Sequence, residues 1–110
     1  MRGVRRLPSR EELKAVLVAI ARRRERISYS GLGAILGLPT RGPHWKVLLD
    51  DLSLNEPEGA PELAVLVVAK ATGLPSPPAF GLENPKDPAE RKRIEALQEA
   101  VWRHYAVKGG

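Results

Sequence analysis

The sequence predicts an α+β fold, and three observations carry that reading. Apolar residues recur at helical spacing in several separate segments, most of them opened by a capping residue or a proline. One short run, Leu63 to Lys70, is instead rich in β-branched residues and bounded by breakers. No repeat, long linker or cysteine interrupts the pattern, so residues 1–110 are predicted to form a single domain around one apolar core.

Each element follows in order. Ser9 with Glu12 makes a capping box, and Leu13, Val16, Leu17 and Ile20 then give a helix over about 10–25. Ile27 and Ser28 read as a short extended link, with Ser28 capping a second helix over 29–36 that turns Leu32, Ile35 and Leu36 inward. Gly31 and Gly33 weaken that helix but permit a close approach, and Gly37 is placed to stop it in a left-handed conformation. After a turn over 38–42, Pro43 suits the first position of a third helix carrying Trp45, Leu48, Leu49 and Leu52 on one face. Asn55 to Glu62 is a polar loop. Leu63 to Lys70 is predicted as a buried strand, with Ala79 to Leu82 as a short returning edge strand. Asp87, Pro88 and Glu90 open a last helix over about 88–106, with Ile94, Leu97, Val101 and Tyr105 on one face.

Three helices, a hairpin, and an extended Ile27–Ser28 placed to pair with it amount to a winged-helix-like arrangement: a three-helix unit, a small β-hairpin wing and a packed C-terminal helix. The core is expected to hold Leu13, Val16, Leu17, Ile20, Leu32, Ile35, Leu36, Leu48, Leu49, Leu52, Val65, Val67, Ile94, Leu97 and Val101.

Composition narrows the chemistry. Without cysteine there is no disulfide, thiolate metal site or thiol nucleophile, which suits a cytoplasmic protein. The two His lack ligand spacing, so neither a metal nor a cofactor is expected. The longest strongly apolar run, Leu63 to Ala69, is too short to cross a bilayer, and no signal peptide is apparent. Arg-rich, Pro-rich usage with few Asn and Gln fits a heat-adapted or GC-rich source. The net charge of +5 is polarised. Residues 1–26 hold nine bases and three acids, whereas 49–64 hold five acids and no base. Only one side of such a molecule suits phosphate.

The segments "ISYSGLGAILGL", "GAPELAVLVVAKATGLP" and "LQEAVWRHYA" resemble a family of small bacterial proteins of mostly unknown activity. That family carries an I-[ST]-Y-x-x-L start, a P-x-L-x-x-L-V-V-x-K-x-[TD]-G-x-P centre and an aromatic C-terminal helix, and similar segments occur joined to HNH-type nuclease domains. The resemblance covers roughly residues 13–106 and implies no reaction. After Pro75 the chain departs from it, with "SPPAF" in place of a Gly-rich stretch. More distantly, "SYSGLGAILGLPTR" is similar to the helix-turn-helix of O-alkylguanine-DNA alkyltransferases and alkyltransferase-like proteins. Their motif Tyr matches Tyr29, and Arg41 is the nearest match to the Arg that enters the base stack. The likeness implies DNA binding. Alkyl transfer is excluded on chemistry, because the accepting Cys and the His-Arg after it are missing and "GAPELAVLVV" stands there instead.

The candidate DNA-binding residues are Tyr29, Arg41, His44 and Lys46 around the entrance to the third helix, with Arg22, Arg23 and Arg26 behind them. A cation and free backbone N–H groups at a helix start can share a phosphate. Plainer readings stand beside these: a packed Tyr29, a solvated Arg41, and an arginine run that suits the negative end of the first helix. Trp45 and Trp102 read as core, since each lies among apolar residues at helical spacing. Ser28, Ser30 and Thr40 have no His or acid at motif spacing, so no catalytic residue is assigned. The expected activity is non-catalytic binding of duplex DNA, mainly through phosphates. Two alternatives stay open: a protein-interaction adaptor docking a basic partner on the acidic 50–62 loop, and an alkyltransferase-like damage sensor.

Overall fold

The computed structural model describes residues 8–76 and 79–106. Arg2, Arg5 and Arg6 of the basic segment, Pro77 and Pro78 of the turn, and residues 107–110 lie outside the described residues. The chain runs α1 (Arg10–Arg22), β1 (Ile27–Ser28), α2 (Tyr29–Leu36), α3 (His44–Leu54), a 3-10 turn (Leu63–Leu66), β2 (Val67–Val68), a second 3-10 turn (Ala79–Gly81) and α4 (Pro88–Tyr105). It is a helix-dominated mixed fold whose described sheet has two strands.

The helix starts obey local chemistry. Ser9 and Glu12 form the reciprocal capping box of α1. The Ser28 hydroxyl accepts from the Gly31 N–H at 3.0 Å to cap α2, and Asp87 accepts from the Ala89 N–H at 2.9 Å to cap α4. Glu90 does not complete a second box. Its carboxylate accepts from the backbone of Glu83 and Asn84 and ties down the loop before the helix. Pro43 stands one position outside α3, as its cap residue, with no side-chain capping bond.

The stops are less regular. α1 ends at Arg22, not near residue 25, because Arg24 turns left-handed at φ 57°. Its N–H bonds the Ala21 carbonyl and that of Glu25 bonds Ile20, the pairing of a Schellman stop built without glycine. α2 ends at Gly37, φ 73°, as the sequence predicts. Inside α2, Gly33 is fixed by contact: a Cβ there would lie 2.6 Å from the Leu38 carbonyl oxygen. The element approaching α2 is thus the backbone of the following turn.

The run from Leu63 to Val68 is buried throughout. Its first half is a 3-10 turn where a strand is predicted. An apolar run buried on every side has no period to separate strand from helical turn. Only Val67 and Val68 pair, in parallel with Ile27 and Ser28. The expected edge strand over 79–82 is also absent. Ala79–Gly81 is a 3-10 turn with Phe80 left-handed, so the described residues contain no antiparallel hairpin.

α1 and the Leu63–Leu66 turn sit at the centre, with α3 and α4 packed on them. Leu13, Leu17, Leu32, Leu48, Leu52, Val65, Val67, Ile94 and Val101 are buried as predicted, and Val16, Ile20, Leu36 and Leu49 pack half-buried at the edge. Leu63, Leu66, Leu74 and Leu82 join them. Two expected members do not. Ile35 is 57% exposed, because α2 turns Leu32 and Gly33 inward. Leu97 is 40% exposed, and the buried stripe of α4 runs through Gln98. That amide donates to the Val65 carbonyl at 3.1 Å and accepts from Arg26 Nε at 2.7 Å, which is how a polar group tolerates full burial.

Candidate functional site

The start of α3 is built by its turn. Gly42, φ 140°, leaves the space that the His44 ring occupies, since a Cβ there would lie 2.7 Å from its Nδ1. His44 Nε2 donates to the Pro39 carbonyl at 3.0 Å, and the Trp45 indole N–H donates to the Thr40 carbonyl at 2.8 Å. Two side chains of α3 therefore hold the turn in front of it, and Arg41 projects exposed from a fixed backbone.

Beside this turn lies an open groove of about 970 Å³. The N-terminus of α2 supplies Tyr29 and Ser30. α3 supplies Trp45, Lys46, Leu49, Asp50 and Ser53. The far side comes from Lys70 after β2 and from Pro75, Ser76 and Phe80. Tyr29 meets Trp45 edge to face, with ring centroids 5.6 Å apart. The chain has two Trp, two Tyr and one Phe, and one of each lines this groove, so aromatic surface is concentrated there. Arg41, Lys46 and Lys70 bring cations to it, against Asp50 and Glu62. Lys46 is paired with Asp50 at 2.8 Å, a bond that holds its proton and raises its pKa. Among the described residues, Arg41 and Lys70 have no ion pair.

The residues singled out from the sequence thus fall into two groups. Tyr29, Arg41 and Lys46 line the groove, and His44 packs at a tilt against Trp45, ring centres 4.9 Å apart, beneath the turn. Arg22, Arg23 and Arg26 do not line it. Arg22 and Arg23 are exposed at the end of α1, while Arg26 is turned toward α4, bonded to Gln98 with its guanidinium 5.0 Å from the Trp102 ring centre. Trp102 also donates to the Glu25 carbonyl at 3.0 Å. Trp45 is buried as expected, yet it also lines the groove. Lys70 and Phe80 escape sequence reading. Lys70 ends a predicted strand, and the only signal at Phe80 is a lone aromatic beside a glycine in a Pro-rich stretch.

The acidic segment is largely satisfied internally. Asp51 accepts two bonds from Arg10, Asp50 takes Lys46, and Glu56 takes Lys14 at 3.1 Å and the Tyr105 hydroxyl at 3.2 Å. Burial, with the adjacent Glu56, pushes the Tyr105 hydroxyl up to about 12. The outward face of α3 carries Val47 and Leu54, the latter 84% exposed.

Among the described residues no group of three His, Asp or Glu could hold a metal ion, and no described helix is long and apolar enough to cross a membrane. No protein-family model, no curated protein and no solved structure matches the chain.

Proposed function

We propose that the chain is a winged-helix-like module that binds duplex DNA without catalysis, mainly through phosphates, at the entrance to α3. One observation carries the reading: Arg41, on a backbone held by His44 and Trp45 and without an ion pair among the described residues, stands beside an aromatic groove at the start of a helix with no side-chain cap. The free N–H groups and the cation favour a phosphate. The aromatic walls beside them suit a base displaced from the stack, since every base offers a flat face. Residues 69–76 and the 3-10 turn Ala79–Gly81 would take the place of the wing. Only the first turn of α3 takes part, because further along Asp50 already holds Lys46 and Asp51 already holds Arg10. Affinity is expected to fall by roughly a decade or more between 50 and 200 mM salt for a few phosphate contacts. Arg41→Ala should weaken binding to all duplexes alike and make the salt slope shallower by roughly one unit. An unchanged slope in that variant rejects the site.

A second reading, a protein-interaction adaptor that docks a basic partner on the acidic 50–62 loop, draws support from the exposed Leu54, Glu58 and Glu62. On that reading Leu54→Glu abolishes capture of a partner, and Arg41→Ala changes nothing.

A further inference from the structure

Phe80 is the only phenylalanine in the chain, and it sits at φ 57°, ψ 27°, immediately before Gly81 at φ 74°. A bulky side chain is strained in that region, whereas glycine takes it readily. Leu82, two residues on, is fully buried and anchors this segment to the core. Phe80 packs half-buried against the edge of that core and also lines the groove that Tyr29 and Trp45 line. A bulky aromatic kept in a costly backbone conformation at a cavity wall points to a ligand contact. The groove's other chemistry says which kind. Arg41 and Lys70 offer cations, and the hydroxyls of Ser30 and Ser76 offer polar edges, around flat apolar surface.

We infer that Phe80 is the specificity-determining residue of the groove, the wall against which an unpaired nucleobase stacks; this rests on the DNA reading above. Base-on-aromatic stacking corresponds to roughly a fivefold to hundredfold gain per base. The ring, unlike Arg41, should therefore discriminate between a displaced base and a paired one.

The test compares two duplexes of one sequence, fully paired or carrying a single unpaired 2-aminopurine. The wild-type chain should bind the second about tenfold more tightly. Phe80→Leu keeps apolar bulk without a flat ring, and should lose the preference while retaining affinity for the paired duplex. Phe80→Tyr should restore the preference. Phe80→Gly should melt above Phe80→Ala, the reverse of the usual order, reporting the left-handed backbone. A Phe80→Leu variant that keeps the preference, a wild type that binds both duplexes equally, or an alanine variant that melts above the glycine one overturns this inference and leaves the phosphate contacts standing. A wild type that binds neither duplex at low salt overturns both.

Discussion

Arg10 and Asp51, 41 positions apart, are joined by two hydrogen bonds of 3.0 and 3.3 Å that fasten the first turn of α1 to α3. These bonds, helped by the guanidinium charge, hold the Asp51 carboxyl below its ordinary value of 3.8. A depressed carboxylate adds stability that is fully present above its unfolded-state pKa and is lost as pH falls through the folded one. The melting temperature of Asp51→Asn should therefore trail the wild type at neutral pH, with the gap closing below about pH 4. Both side chains are half exposed, so the gap should be small and should shrink in salt. A gap that persists at pH 2 would mean that Asp51 acts through something other than its charge.

Arg24 is exposed and left-handed, and its backbone bonds complete the stop of α1. Arg24→Gly keeps those bonds and removes the Cβ conflict, so it should stabilise the fold by about 1 kcal/mol. Urea unfolding measures it. A loss of stability would show that the arginine side chain contributes more than its backbone costs.

Gly33→Ala raises helix propensity, yet the added methyl meets a backbone carbonyl that cannot swing aside. The expected result is a net loss of about 1–3 kcal/mol, typical of overpacking. A stabilised variant would place the Leu38 turn elsewhere.

Gln98→Ala should cost about 2–4 kcal/mol, since it opens a cavity and leaves the buried Val65 carbonyl without its donor. Leu97→Ala on the same helix should cost under about 1 kcal/mol. If the two costs were reversed, α4 would be rotated from the position described.

Helix starts were legible because each is a local event. Ser9, Ser28 and Asp87 cap the helices they announce, and Gly37 stops α2 where only a left-handed residue can stand. What the residues could not reveal was decided between distant segments. Helical spacing favours Leu97 over Gln98, and nothing local says that a glutamine is buried because Val65 and Arg26 come to meet it. Ile35 is a larger apolar group than Gly33, yet the Leu38 backbone lies on the glycine's side. At the candidate site, Tyr29, Arg41 and Lys46 were visible as a neighbourhood because a single turn gathers them. Lys70 and Phe80 reach the groove through the parallel pairing of β1 with β2 and a strained turn, neither of which has a short-range signature. Arg26 belonged by sequence to a basic run and by structure to α4.

Ser28 closes β1 and, with the same residue, caps α2. The pairing of Ile27 with Val67 therefore works as a ruler for everything after it. A slip of one position would turn the buried Ile27 side chain toward water and carry Tyr29 out of the groove, while the bond of the Ser28 hydroxyl to the Gly31 N–H, made within one short stretch of chain, would travel with it. Strand alignment and the placement of an aromatic wall are one mechanical linkage. The segment from Arg23 to Arg26 sets its zero point, so a single deletion there should misalign both while leaving the helix cap intact.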